Sequence, residues 1–326
     1  MTSSGGKSEA KAASSLKALL GSAVEGPTTL LFGGLPNADG TAEYRSVQIS
    51  KELAKDLTAL VNVWSRRAQR RSKSVGLREY DCAPQPEGHQ KIQYIAIDDD
   101  THIQRALSSV TPSTDVPVWS PKDDKVGKPR SFVVSATVKG TGNARFFGRI
   151  TKGKQLVGPG RVVAFFEGNR FQSLVEQQVI LVDASFDCVE FGGFLFIWKP
   201  NGFESLFAYE VSLSARARSA VNGLEPYLYP ETFVTLKSAI AANRHVLRQI
   251  AGRIRLDLKT ADPEKVRVAI ARCGLNVSID ISDGKMRLGF QGNDPQDLIT
   301  LLTERTVEAM VSGRPFIATS LEPVRS

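Results

Sequence analysis

No run of this chain holds the ~18 consecutive apolar residues that a bilayer-crossing helix needs, so no helical membrane span is expected in it. The opening residues, MTSSGGKSEAKAASS, lack the apolar centre of a secretory signal. They are small and polar, and residues 1–24 are expected to be a disordered tail. Cysteine is scarce: Cys82, Cys188 and Cys273 are odd in number and far apart. No Cys/Cys or Cys/His pair has zinc-site spacing. Three free thiols in a reducing cytoplasm are the expectation, each a small buried hydrophobe. Histidine is scarcer in effect, because His89, His102 and His245 fall in no local Ser/His/Asp or Cys/His set. Walker loops, helix-turn-helix, zinc-finger and RNP motifs are missing too. The stretch Lys139-Gly140-Thr141-Gly142-Asn143-Ala144-Arg145 opens like a dinucleotide fingerprint. It lacks the third glycine and leads into a strand where the fingerprint requires a helix, so it reads as a turn. No cofactor and no metal are expected.

What is present is positive charge, unevenly placed. The chain has 326 residues and a formal net charge of +8. Residues 66–78 contain six basic side chains and no acid. Residues 139–170 contain seven basic side chains and one acid, Glu167. Concentrated positive charge is the footprint of a polyanionic partner.

Periodicity sorts the chain into an α+β protein. A mixed α/β region is expected over 25–130. It has short strands at 28–32 and 44–49, a helix capped by Ser50, a strand at 92–97 and a helix from about Thr101 to Ser109. The Ser50 helix carries the stripe Leu53, Leu57, Leu60, Val61 and Trp64. Residues 111–130 hold four prolines and read as a linker or long structured loop, the best domain boundary in the chain. Beyond it, 131–200 reads as an antiparallel meander of glycine-separated strands, including 161–166, 170–175 and 179–182. Two helices then span about 203–222 and 231–253. Residues 260–326 read as a small α+β unit: a helix over 263–273, a hairpin over 275–290 turning at Asp283-Gly284, and a helix over about 295–311.

The most informative stretch is SFDCVEFGGFLFIWKPNGFESLF, residues 185–207. Gly192-Gly193 supplies the left-handed dihedrals of a two-residue hairpin turn. Pro200-Asn201-Gly202 stops the return strand, and Phe203-Glu204 opens a helix. The positions Phe186, Asp187, Gly192, Gly193, Phe203, Glu204, Phe207 and Tyr209 resemble the Kiwa anti-phage defence family, specifically KwaB-like proteins. The likeness extends through the pair 275–281 and 285–290 to the turn Ser312-Gly313-Arg314-Pro315-Phe316, covering roughly residues 131–320. The resemblance implies a cytoplasmic effector that binds phage DNA, works beside a small membrane-embedded KwaA-like partner, and has no enzyme activity.

Two clusters carry the candidate chemistry. The first is Arg66, Arg67, Arg70, Arg71 and Lys73. On a helical wheel with Leu53 at zero and about 100° per residue, Arg66 and Arg70 face solvent while Arg71 returns to the apolar stripe. A buried unpaired arginine is costly, so the helix is expected to project beyond its packing partner or to have ended there. The guanidinium fork suits phosphate; the plain alternative is a solvated, dipole-favoured helix end. The second cluster is Lys139, Arg145, Arg149, Lys152 and Lys154, with Arg161 and Arg170 beyond, interleaved with Phe146, Phe147, Phe165, Phe166 and Phe171. Arg145, Phe147 and Arg149 share one strand face. Phe147 there has two readings, a base-stacking platform or core, and core is preferred. With no base-reading motif, sequence-independent duplex binding is expected. Many weak cationic contacts gain from multivalency, so self-association is expected as well.

Two rivals remain. A metal-dependent nuclease would use Asp98-Asp99-Asp100, or Asp187 and Glu190 with Lys199. Against it, one aspartate suffices to cap the helix at Thr101, and Asp187 and Glu190 sit on opposite strand faces. An adaptor would turn its cations toward an acidic protein or an anionic lipid surface.

Overall fold

The computed structural model describes residues 4–82, 91–110, 116–120, 129–150, 164–167, 170–173, 182, 184–254, 256–282, 285–290, 295–303, 306–308 and 315–317. The chain divides into two compact units, Met1–Tyr80 with Lys91–Glu210 and Asp81–Gln90 with Val211–Ser326.

The first unit contains α1 (Ser4–Gly21), β1 (Val24–Gly33), β2 (Tyr44–Val47), α2 (Lys51–Val75), β3 (Leu77–Glu79), β4 (Ile92–Ala96) and α3 (Thr101–Ser108). It continues with β5 (Ser131–Val138), β6 (Gly142–Arg149), β7 (Ala164–Glu167), β8 (Arg170–Ser173), β9 (Cys188–Phe191), β10 (Phe194–Ile197) and α4 (Pro200–Leu206). Eight strands form one sheet in the order β2-β1-β5-β6-β9-β10-β4-β3. Every pairing is antiparallel except β3 with β4. The α+β class expected from the sequence is the class observed.

α2 leaves one edge strand and enters the other. Its 25 residues reach about 37 Å at 1.5 Å each, close to the width of eight strands at about 4.8 Å. Ser50 caps it as the sequence predicts, its hydroxyl accepting from Leu53 N at 3.2 Å. The buried stripe is Leu57, Val61, Trp64, Ser65 and Ala68. Leu53 is exposed, so the stripe sits a turn later than the apolar spacing indicates. Trp64 anchors it edge-on to Phe146, Phe186 and Trp198, at 5.4, 5.8 and 4.7 Å between ring centres.

Three expectations are corrected here. Residues 4–21 are helix where a disordered tail was expected. Alanine, lysine, glutamate and leucine favour helix, and Ala12, Leu16, Leu19 and Leu20 form a buried stripe that low-complexity composition hid. The Pro-rich segment does not separate domains. β1 pairs with β5, placing Phe32 opposite Phe132, so residues on both sides of it share one sheet. Part of that segment is docked: Trp119 N donates to Ser46 O at 2.7 Å, and its ring meets Phe32 edge-on at 5.2 Å. The meander is interrupted as well. β6 pairs directly with β9, and β7–β8 forms a separate hairpin. The strand expected at 179–182 has only Val182 among the described residues, and Val182 is not in a strand.

The hairpin at Gly192-Gly193 matches its expectation, with φ of 61° and 81°. The helix after it starts at Pro200, three residues before Phe203. α5 (Tyr209–Leu224), α6 (Pro230–Ala242) and α7 (Arg244–Arg253) follow, so the two expected helices are four. Ala208, at φ 45°, breaks the first pair. Asn243 ends α6 and caps α7, its side chain accepting from His245 N at 2.9 Å.

The second unit adds α8 (Pro263–Cys273), β11 (Val277–Ser282), β12 (Lys285–Phe290), α9 (Gln296–Leu302), β13 (Thr306–Glu308) and β14 (Pro315–Ile317). α8 starts at Pro263 as expected, and the structure adds Asp262 as its cap and left-handed Gly274 at its end. α9 stops at Leu302, well short of the expected 311. The core joins Leu236, Ile250, Val266, Leu288 and Leu298.

Candidate nucleic-acid interface

α2 continues through Val75 and carries Arg66, Arg67, Arg70 and Lys73 exposed, with Arg71 half-buried. Measured from the buried stripe, Arg66, Arg70 and Lys73 lie near the far side of the wheel and form one row of i, i+4, i+7 spacing. Arg67 and Arg71 flank it. Half-burial of Arg71 fits a long side chain that can cover apolar surface with its stem and keep its head in water. None of the five side chains has a hydrogen bond or ion pair among the described residues. They also lie in the last turns of the helix, where the backbone dipole favours cations.

The second basic cluster behaves differently. Lys139 pairs with Glu25 at 3.3 Å on the surface. The pairing of β6 with β9 sets Arg145 opposite Glu190, and the two form an ion pair. The Arg145 fork also donates to Val110 O at 2.6 Å and Leu107 O at 3.3 Å. Arg149 donates from Nε to Asp187 Oδ2 at 3.2 Å, and its backbone N–H reaches the same oxygen at 3.0 Å. Arg145 and Arg149 are therefore committed to carboxylates carried in from residues 187–190, and the expectation that they face a phosphate backbone is withdrawn. Lys152, Lys154 and Arg161 lie outside the described residues. Phe147 is core, meeting Phe207 at 5.3 Å between ring centres, and Phe146 is buried on the opposite face. Both faces of this sheet are covered, so its phenylalanines offer no stacking platform.

Asp100 and Asp187 hold structural positions. Asp100 Oδ1 accepts from His102 N and Ile103 N, both at 3.1 Å, and so caps α3. Its Oδ2 accepts from Tyr209 OH at 2.5 Å. Asp98 and Asp99 are exposed beside it. Asp187, 2% exposed, takes Arg149 on one side and Lys199 at 3.8 Å on the other. Its carbonyl accepts from Trp198 N and Lys199 N at 2.9 and 3.0 Å. A Cβ at Gly202 would overlap its carboxylate, so glycine is required there. No group of acids, histidines and cysteines among the described residues is arranged to hold a metal. Burial, then the charges of Asp187 and Glu190, push the Cys188 thiol well up, away from nucleophilic use. Gly140 and Gly142 take φ of 73° and 121° in the turn joining β5 to β6, as the turn reading requires.

Sequence reasoning missed the polar contacts beneath this sheet. Tyr80 OH donates to buried Glu204 at 2.8 Å, and His102 Nε2 lies 2.7 Å from Phe207 O. The partners stand 124 and 105 residues apart, and only the bulk of aromatics in 203–209 hinted at them. Residues 143–312 match the family model described as Kiwa protein KwaB-like. No curated protein and no solved structure matches the chain.

Proposed function

The chain belongs to the Kiwa protein KwaB-like family, and from that premise we propose that it is a DNA-binding effector of Kiwa anti-phage defence. It binds duplex DNA without sequence preference and acts by occupying it, not by cutting it. The carrying observation is the exposed row Arg66, Arg70 and Lys73 on α2, flanked by Arg67 and Arg71 and free of carboxylate partners among the described residues. Arginine forks meet phosphate oxygens in pairs and stay charged at any working pH. Five phosphate contacts, from these four arginines and Lys73, give log K a slope of about −4 to −5 against log salt.

No helix among the described residues is long and apolar enough to cross a membrane. In this reading the protein works in the cytoplasm and reaches the membrane through a KwaA-like partner. It self-associates, because a second copy on the same duplex binds at high effective concentration. Occupancy is favoured over cleavage because Asp187 and Glu190 are spent on Arg149 and Arg145.

A gel shift with plain duplex DNA across a salt series tests the reading. Strong retardation at low salt, lost steeply as salt rises and weakened in the R66E/R70E variant, is the expected result. No retardation at low salt refutes it. Plasmid incubated with magnesium or manganese should remain uncut; cutting that disappears in Asp98→Ala or Asp187→Ala would establish the nuclease instead. If charge reversal on α2 spares DNA binding but abolishes capture of a protein or lipid partner, the row is an adaptor surface.

A further inference from the structure

α2 does not stand alone on its face of the sheet. α1 packs over β3, β4, β9 and β10, the strands toward which the arginine-bearing half of α2 runs. The two helices share one core. They are tied at Ser65, whose hydroxyl donates to Leu20 O at 3.5 Å. Two adjacent helices of about 10–12 Å diameter present a front more than about 20 Å wide. A B-form major groove is only about 12 Å wide. A front of that breadth exceeds the groove, which favours contact with the phosphates of its walls over insertion.

The side chains fit that placement. The row Arg66, Arg70 and Lys73 runs about 10.5 Å along the helix, the axial span of about three phosphates on one strand. Between its members, Ala68 is buried and Gln69 and Ser72 are half-buried. The one aromatic of α2, Trp64, is buried. α2 thus carries no exposed aromatic that could stack an unpaired base, and the side chains of Phe165, Phe166 and Phe171 lie outside the described ones. Such stacking is a major source of single-strand affinity.

Building on the proposed DNA-binding function, we propose that the α2 surface reads nucleic-acid duplexes through their phosphates alone. A-form RNA duplex, and DNA whose cytosines carry bulky major-groove substituents, are then bound as well as unmodified B-form DNA. Base modification, which blocks enzymes that read the groove, leaves this surface unaffected. Strandedness matters and base identity does not.

Fluorescence anisotropy with the full chain at fixed low salt tests this with four probes of equal length. They are plain duplex DNA, duplex DNA with glucosylated hydroxymethylcytosine, duplex RNA and oligo-dT. The three duplexes should have dissociation constants within about threefold of one another and the same salt slope of about −4 to −5. Oligo-dT should bind at least about tenfold more weakly, given the missing stacking. The R66E/R70E variant should weaken all three duplexes by a common factor. A loss of about tenfold or more confined to the modified DNA or the RNA overturns phosphate-only reading while leaving DNA binding in place, as does oligo-dT matching the duplexes. Failure of every probe, or capture by phosphatidylglycerol vesicles with no duplex bound, defeats the underlying DNA-binding reading instead.

Discussion

The two acid-poor segments of this chain look alike in sequence and have opposite fates. On α2, a cation can meet neighbours three or four residues away and whatever its helix packs against. Residues 66–78 hold no acid, so the row stays open. On β6, each residue has a cross-strand neighbour that sequence distance does not limit. Glu190 and Asp187 come from about 40 residues downstream and neutralise Arg145 and Arg149. Local acid poverty therefore predicts an open cationic surface on a helix far better than on a strand. The Kiwa-family hairpin is the element that delivers those acids.

This contrast can be attacked from either side. The largest effect is expected from Asp187→Ala, which leaves the Arg149 head and backbone N–H without their buried acceptor. Urea denaturation should show a loss of about 3–5 kcal/mol, and a smaller loss for Asp187→Asn. Arg145→Ala removes the Glu190 pair and two carbonyl contacts, and should cost about 2–3 kcal/mol. DNA affinity of the folded fraction should not change in either variant. If affinity instead falls with Arg145, the sheet cations face nucleic acid after all. The reverse pattern is expected on α2: R66E/R70E should lower duplex affinity at least about tenfold, roughly 1.4 kcal/mol. Its thermal midpoint should stay within about 2 °C of the parent, as for other exposed sites.

Two smaller effects probe the scaffold beneath the sheet. Tyr209→Phe removes the hydroxyl that donates to Asp100, a buried charge-assisted bond. Denaturation should register about 1–2 kcal/mol. Ala208→Gly should stabilise by about 0.5 kcal/mol, because relief of the left-handed strain at φ 45° exceeds the added unfolded-state entropy.

What could be read in advance follows the range of the interaction. Ser50, Gly192-Gly193 and Pro263 act within four residues, and each marks the boundary it was expected to mark. α1 escaped because its stripe of one alanine and three leucines, Ala12, Leu16, Leu19 and Leu20, lies among small and polar residues. The domain boundary failed because proline marks irregular backbone, whereas unit membership is decided by the pairing of β1 with β5 across about 100 residues. At the site, the wheel placed Arg66 and Arg70 correctly. The pairing of Arg145 with Glu190 depends on strand register, and the 109-residue reach from Tyr209 to Asp100 on tertiary packing.

The long helix joining the two edge strands also makes the protein intolerant of a change in its length. Its ends are pinned, at β2 on one side and β3 on the other. Inserting one residue near Ala59 would turn everything after it by about 100° and push it forward about 1.5 Å. Trp64 would leave its aromatic nest, and the arginine row would swing toward the sheet. Variation in this helix is thus confined to replacement of one residue by another: the distance between the sheet's two margins fixes how many residues it holds and where its arginines point.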